Sequence, residues 1–327
     1  MTNASARVGG EFGLIARFAA RVGAPASPAG PGDDAAVIPA PDGRVVATTD
    51  LLAEGIHFRL DWSSGADIGH RAAAANLADI VAMGARPTAL LVGIALPAAV
   101  PDRFLDDLAD GLRDECALAG ARIVGGDTVA SSDRLTLAIT ALGDLDGREP
   151  VTRAGARPGD ELVLVGRVGW AAAGLSWLTE HPRAADTGPL AVPERYAPAV
   201  AAHRRPEPPY GAGVLLAELG AHALCDVSDG LTADAGHLAE ASGVALHLET
   251  DGLRDPYLEG LREPGSPPVW ELTGGDDHAL LAALPAGTRL AALTGARRIG
   301  WVRDGMGVYV DGDAVSAASG GYNHFGR

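Results

Sequence analysis

Short runs of β-branched and aliphatic residues alternate along this chain with longer amphipathic or Ala-rich stretches, and that alternation most restricts the fold. Glu11 to Val22 places Phe12, Ile15, Phe18 and Ala19 on one side and predicts a helix. Val45 to Asp50 predicts a strand ending in polar residues, and Ile68 to Met83 an Ala-rich helix stopped at Gly84. Leu90 to Leu96 reads as a buried strand, and Pro101 to Ala119 as an amphipathic helix with Phe104, Leu108, Leu112 and Cys116 inward. Arg122 to Val124 predicts a short strand closed by Gly125-Gly126-Asp127-Thr128, and Leu135 to Leu142 another strand. Gly143 to Gly159, rich in Gly, Pro and charge, marks a boundary and divides the chain into domains at 1–146 and 147–327. The second half continues with a strand at Glu161 to Val165, a helix at Gly169 to Glu180, and a Pro/Arg-rich connection at His181 to Pro209. Helices then follow at Ala212 to Leu219 and Leu231 to Ala241, and strands at Ala223 to Cys225 and Ala245 to Leu248. Both halves therefore read as α/β domains with mixed sheets. Their acidic motifs sit mostly where strands end, which is where such folds leave room for ligands.

The charge restricts the partners. A formal net charge of −16 repels a phosphate backbone unless cations intervene, so nucleic acid is an unfavoured partner. The same acidity tolerates a polyphosphate ligand if metal ions stand between, and equally it keeps an Ala-rich surface soluble. Apolar residues at 47% supply a large interior. The two cysteines, Cys116 and Cys225, lie in apolar segments without a neighbouring thiol, which argues for buried small hydrophobes and against a zinc or disulfide framework. Met1 to Phe12 has no apolar core, and no stretch is long and apolar enough for a membrane helix. The expectation is a cytoplasmic protein with no membrane partner.

Acid-bearing clusters carry the chemical signal: Gly32-Asp33-Asp34, Thr48-Thr49-Asp50, Asn76-Leu77-Ala78-Asp79, Gly125-Gly126-Asp127-Thr128 and Asp226-Val227-Ser228-Asp229-Gly230, with Gly274-Gly275-Asp276-Asp277 weaker. Taken singly, each reads as turn or capping chemistry as readily as ligand chemistry; Asp229 could cap the helix beginning near Leu231, and Asp127 could close a turn. Asp79 stands apart because it falls inside an Ala-rich helix with Asn76 on the same face. A carboxylate there needs either a partner, which a cation would supply, or solvent. Carboxylates and hydroxyls without clustered Cys or His select hard cations, magnesium first and manganese as a substitute. Neither a G-x-x-x-x-G-K-[ST] loop nor a kinase H-R-D and D-F-G pair occurs. Arg153 is a candidate phosphate clamp or a solvated surface cation. His57 is a candidate ligand contact or a capping residue.

Together these motifs resemble those of the thiamine-monophosphate kinases. The likeness is carried by Gly32-Asp33-Asp34-Ala35-Ala36, Thr49-Asp50 with His57-Phe58, Ala74 to Asp79, Met83-Gly84-Ala85 and Gly125-Gly126-Asp127-Thr128. It continues through Thr152-Arg153 with Pro158-Gly159-Asp160, Asp226 to Leu231, and Gly321-Tyr322-Asn323-His324-Phe325. It runs in order from Glu11 to Phe325, although single motifs recur across the wider superfamily of aminoimidazole ribonucleotide synthetases, selenophosphate synthetases and hydrogenase-maturation ATPases. The resemblance implies ATP-dependent phosphorylation of thiamine monophosphate to thiamine diphosphate, with several magnesium ions. It also implies a homodimer whose N-terminal sheets form a shared β-barrel, and a C-terminal domain that completes the nucleotide and substrate site. By the same resemblance Asp34, Thr49, Asp50, Asp79, Asp127, Asp226 and Asp229 match magnesium-binding positions. Arg153, Ser228 and Gly126 match ATP-binding positions, and His57, Asp276 and Tyr322 match positions on the thiamine side. No residue is implied as a dedicated catalytic base. Where the family usually shows Gly-Gly-Glu-Asp-Tyr-Glu, this chain has Gly274-Gly275-Asp276-Asp277-His278-Ala279, and Asn323 stands where Asp is common.

Other classes stay in view at this stage. The lack of a Cys in the first 30 residues disfavours a selenophosphate synthetase, and the lack of a terminal Cys disfavours the hydrogenase-maturation protein. A two-metal phosphatase or nuclease, and a non-catalytic nucleotide-responsive dimer, are separated from a kinase by their products.

Overall fold

The structure is a computed structural model that describes residues 10–23, 37–181 and 191–315. The chain forms two compact mixed α/β units, one comprising residues 1–80 and 86–147, the other 81–85 and 148–327.

In the first unit, helix α1 (Gly10–Val22) precedes strand β1 (Val46–Ala53), helix α2 (Gly65–Val81), strand β2 (Arg86–Pro97), helix α3 (Asp102–Ala119), and strands β3 (Arg122–Ser131) and β4 (Thr136–Asp144). The strands form one sheet in the order β1-β4-β2-β3, with β2 and β3 parallel and the other pairs antiparallel. α2 starts earlier than the Ala-rich run suggests because Ser64 and Asp67 cap it reciprocally. Asp67 N donates to Ser64 Oγ at 3.2 Å, while Ser64 N and Oγ donate to Asp67 Oδ2 at 2.9 and 2.7 Å. α2 and α3 approach so closely that a Cβ on Gly69 would meet Leu108 O at 2.3 Å. Leu108, Leu112 and Cys116 of α3 are buried as expected, whereas Phe104 is half-buried.

Two expected strand ends lie inside strands instead. β1 continues through Asp50 to Ala53 because its pairing with β4 continues, Asp50 opposite Ile139 and Ala53 opposite Thr136. β3 runs on through Gly125-Gly126-Asp127, which is a strand segment paired with Leu91 to Gly93 and not a turn. Gly126 is required there by the sheet, since a Cβ would meet Val92 O at 2.0 Å.

The second unit is built on a seven-stranded sheet of order β11-β10-β7-β9-β5-β8-β6. Its strands are β5 (Glu161–Val165), β6 (Ala223–Val227), β7 (Ala245–Leu248), β8 (Ala279–Leu284), β9 (Ala296–Arg303), β10 (Gly307–Val310) and β11 (Asp313–Val315). β5 shows why a continuous apolar run is needed: Leu162 and Leu164 enter a core with helix α7 (Leu231–Ser242), while Val163 and Val165 enter another with helix α6 (Ala212–Glu218). Helix α4 (Trp170–Glu180) packs with helix α5 (Ala197–Arg204), which is preceded by a 3-10 turn at Glu194–Tyr196. These last two elements replace part of the expected connection His181 to Pro209; Pro198 at the start of α5 fits a first helical turn, where its missing N–H costs nothing. Short helices α8 (Pro256–Leu261) and α9 (Val269–Thr273) complete the unit. Both cysteines are buried thiols, and burial pushes Cys116 up to about 12 and Cys225 well above its ordinary value. Among the described residues no helix is long and apolar enough to cross a membrane.

Candidate active site

In the first unit the acids are arranged by β1 and α2. Thr48 and Asp50 share the face of β1 that meets α2, where Thr48 Oγ1 donates to Asp79 Oδ2 at 2.8 Å. Asp79 is half-buried, so its mid-helix position is answered by a hydroxyl donor and partial solvent. Asn76, fully buried, joins helix to strand: its Nδ2 donates to Ala72 O at 2.9 Å and its Oδ1 accepts from Asp50 N at 3.1 Å. Among the described residues β1 is the edge of its sheet, and this amide occupies an N–H that no described strand takes. Thr49 points to the opposite face, donating to Ile139 O at 2.8 Å and lying 3.3 Å from Thr140 Oγ1. Asp127 belongs to that face by register, in the row Leu51, Ala138, Gly93, Asp127; its Oδ1 accepts from Thr128 N at 2.8 Å. The structure therefore groups Asp50 with Asp79, and Thr49 with Asp127, on separate faces of one sheet. His57 closes a turn, its Nδ1 accepting from Ala53 N at 3.0 Å, which puts the neutral ring's proton on Nε2.

In the second unit the acids converge on two interlocked segments, residues 226–230 at the end of β6 and 274–278 before β8. Asp276 N donates to Ser228 O at 2.8 Å and His278 N to Val227 O at 3.1 Å, continuing the β6–β8 pairing into the loops. Gly275 is needed for that approach, because a Cβ would meet Ser228 O at 2.2 Å. Asp226 is buried at 2% exposure, and its Oδ2 lies 3.1 Å from His278 Nδ1. Asp229 does not cap α7. Instead Asp234, in the first turn of α7, accepts from Asp229 N at 3.0 Å and Gly230 N at 3.1 Å, and the helix starts after Gly230 without a side-chain cap. Burial, reinforced by Asp226 and Asp229, pushes Asp234 up to about 7.

Asp276 is half-buried with φ 69, a left-handed backbone that Asp tolerates better than most residues. Asp277 turns inward and takes the start of α4, its Oδ1 accepting from Ala171 N at 3.0 Å, while its Oδ2 has no hydrogen-bond partner among the described residues. Burial pushes this carboxyl up to about 7 despite the helix N–H groups that favour its charge. Ser228 is half-buried, and Arg153 is exposed with its backbone oxygen accepting from Ser242 Oγ at 2.9 Å. Asp34 and Tyr322 lie outside the described residues.

Asp234 and His278 are the residues that sequence reasoning missed, and Asp277, read only as part of a weak acidic cluster, was given no role. Asp234 follows Gly230 at the spacing of a helix first turn, a signal that was available. The roles of Asp277 and His278 had none, because their partners lie far away in the sequence, on α4 and β6. Magnesium fits the donor chemistry of both units, which is carboxylate and hydroxyl. Among the described residues no three His, Cys, Asp or Glu side chains converge closely enough to hold an ion by themselves. Such a donor set suits an ion that takes further ligands from phosphate oxygens and water.

A family described as AIR synthase related protein, N-terminal domain, matches residues 32–145. The chain is 44% identical over 329 residues to a thiamine-monophosphate kinase of Mycobacterium tuberculosis, spanning 97% of this chain and 92% of that protein. The crystal structure of thiamine-monophosphate kinase from Stenotrophomonas maltophilia K279a matches with a TM-score of 0.82 at 34% identity, over 93% of this chain and 98% of that one. AaThiL, solved in complex with AMPPCP and TMP, matches with a TM-score of 0.78 at 28% identity, over 96% of this chain and 97% of that one. Identity at this level, sustained over nearly the full length of both sequences, places the chain in the thiamine-monophosphate kinase family.

Proposed function

We propose that this protein transfers the γ-phosphoryl group of ATP to thiamine monophosphate, releasing thiamine diphosphate and ADP. The observation that carries this reading is the near full-length identity to thiamine-monophosphate kinases, supported by the likeness to a protein solved with AMPPCP and TMP. An oxygen of the acceptor phosphate forms the new bond to the γ-phosphorus. The bond from that phosphorus to the β–γ bridging oxygen breaks, and its electron pair leaves with ADP. The acceptor is a phosphate monoester with a second pKa of about 6, so near neutral pH it is mostly dianionic and needs no protein base. The demand on the protein is to bring together two anions that repel by roughly 4 kcal/mol per pair of unit charges at 4 Å, and to hold them in line.

Magnesium, when bound, supplies the neutralising charge. In the first unit Asp50 and Asp79 would hold it, with Thr49 and Asp127 as further implied positions; in the second unit Asp226 and Asp229 would do so. Asp34 joins them by resemblance. Asn76 and Thr48 set the strand and carboxylate of the first group, and Asp234 fixes the backbone that carries Asp229. Arg153, Ser228 and Gly126 are assigned to the nucleotide, and His57, Asp276 and Tyr322 to the thiamine moiety, whose cationic thiazolium suits a carboxylate and an aromatic face.

The protein acts as a homodimer in this reading. The open face of the first unit's sheet supports it, for Leu51 is 64% and Val129 53% exposed there beside Thr49, Leu91 and Ala138. The deciding assay combines purified protein, ATP, Mg²⁺ and a panel of phosphorylated acceptors. ADP and thiamine diphosphate formed in equal amounts, only with thiamine monophosphate, is the expected result. Free phosphate without an acceptor would identify a hydrolase, and nucleotide binding without turnover a non-catalytic protein.

A further inference from the structure

His278 has no counterpart in the family's usual run, which places Tyr after the Glu-Asp pair. The structure shows what the imidazole does in this chain. Its side chain is 8% exposed and that of Asp226 2%, and Nδ1 lies 3.1 Å from Asp226 Oδ2. An ionised Asp226 can only accept, so Nδ1 carries the proton and donates it. The ring is held from its own backbone as well: His278 N donates to Val227 O at 3.1 Å, and Ala279 pairs with Val227 across β6 and β8. His278 also sits at φ 52, a conformation costly for most side chains and maintained here by that pairing. Asp234, the acid of α7 whose electrostatics are coupled to Asp226, is committed to the N–H groups of Asp229 and Gly230.

We infer that His278 is a positioning residue that fixes the Asp226 carboxylate through the Nδ1–Oδ2 hydrogen bond and thereby sets the protein's affinity for magnesium. The inference rests on the reading of Asp226 as a magnesium ligand. Groups that orient ligating carboxylates typically contribute 10–100-fold to metal affinity.

The test compares His278→Phe, which keeps the ring and removes the donor, with His278→Asn. The asparagine amide offers a donor near the Nδ1 position and tolerates positive φ. His278→Ala serves in place of the Phe variant if the larger ring does not fold. Each full-length protein is titrated with Mg²⁺ at fixed ATP, read both as thermal stabilisation and as turnover, with Asp226→Asn as reference. The expected result is that Phe or Ala raises the half-saturating Mg²⁺ concentration about ten-fold or more. Turnover at saturating Mg²⁺ should change much less, and Asn should restore most of the affinity. If Asp226→Asn shifts the Mg²⁺ dependence while Phe and Ala do not, or if Asn fares no better than they do, the role of His278 is overturned and Asp226 stands as a ligand. If Asp226→Asn itself shifts nothing, both statements fall.

Discussion

Asp79 Oδ2 accepts from Thr48 Oγ1 at 2.8 Å, and an amide oxygen could accept the same hydrogen bond. Asp79→Asn should therefore leave the fold intact while removing the charge of a proposed ligand, lowering activity at limiting Mg²⁺ by at least about 10-fold. A variant with unchanged melting temperature and unchanged Mg²⁺ titration would take Asp79 out of the metal site. Asp277 makes a different forecast, concerning stability. Burial raises its carboxyl from 3.8 in the ordinary state to about 7 in the fold, so between those values the folded protein binds more protons than the unfolded chain. Its contribution is fully present below pH about 4 and is lost as pH rises through about 7, with a slope of at most about 1.4 kcal/mol per pH unit. Asp234 acts in the same direction. Asp277→Asn cannot ionise, so its stability relative to the parent should improve as pH rises from 5 to 8. Urea denaturation at both values checks this; a difference independent of pH would mean that the buried carboxyl is already charged.

At the scale of elements, the contact between α2 and α3 depends on missing side chains. A Cβ at Gly69 would meet Leu108 O at 2.3 Å, and one at Gly111 would meet Ala66 O at 2.1 Å, in both cases backbone that cannot rotate away. Gly69→Ala should destabilise the protein by about 1–3 kcal/mol despite the better helix propensity of Ala, measurable as a lowered denaturation midpoint. Propensity alone points the other way, and this shows where sequence reading stops. Elements with a strong local signature, such as β5 with its unbroken apolar run or α3 with its amphipathic pattern, are legible from the residues. Strand ends at Asp50 and Asp127 are not, because pairing with β4 and β2 carries each strand onward through its polar residues. α5 is hidden by the prolines around it. The candidate site divides the same way: its acids announce themselves by clustering with Gly. The faces separating Thr49 from Asp50, and the loop-to-loop bonds of Asp277 and His278, follow from register and tertiary packing that no local pattern encodes.

For the whole molecule, the proposed homodimer makes the open sheet face of the first unit its interface. Leu51→Arg places a charge amid Val129, Leu91 and Ala138, and should shift the solution mass from dimer to monomer without unfolding the unit. A parent protein that is already monomeric at micromolar concentration would remove the dimer from the reading. The division of the chain has an outcome of another kind. Residues 81–85 fold with the second unit although they are encoded within the first: Val81 and Ala82 line its core beside Leu216 and Leu280, and Met83 O accepts from Val151 N at 3.1 Å. The polypeptide consequently has no single seam. A recombination event at 147/148 would join a body from one parent to a short wedge of wall from another, and that wedge would have to fit a foreign interior. Chimaeras between this chain and a relative, cut at 147 alone, should be less stable than those in which 81–85 travels with the C-terminal part, by about 1–3 kcal/mol if the foreign side chains overfill the core, and should melt at lower temperature. Equal melting of the two designs would show that the wedge is interchangeable. Otherwise the lineage can exchange its halves only when two separate stretches of gene move together.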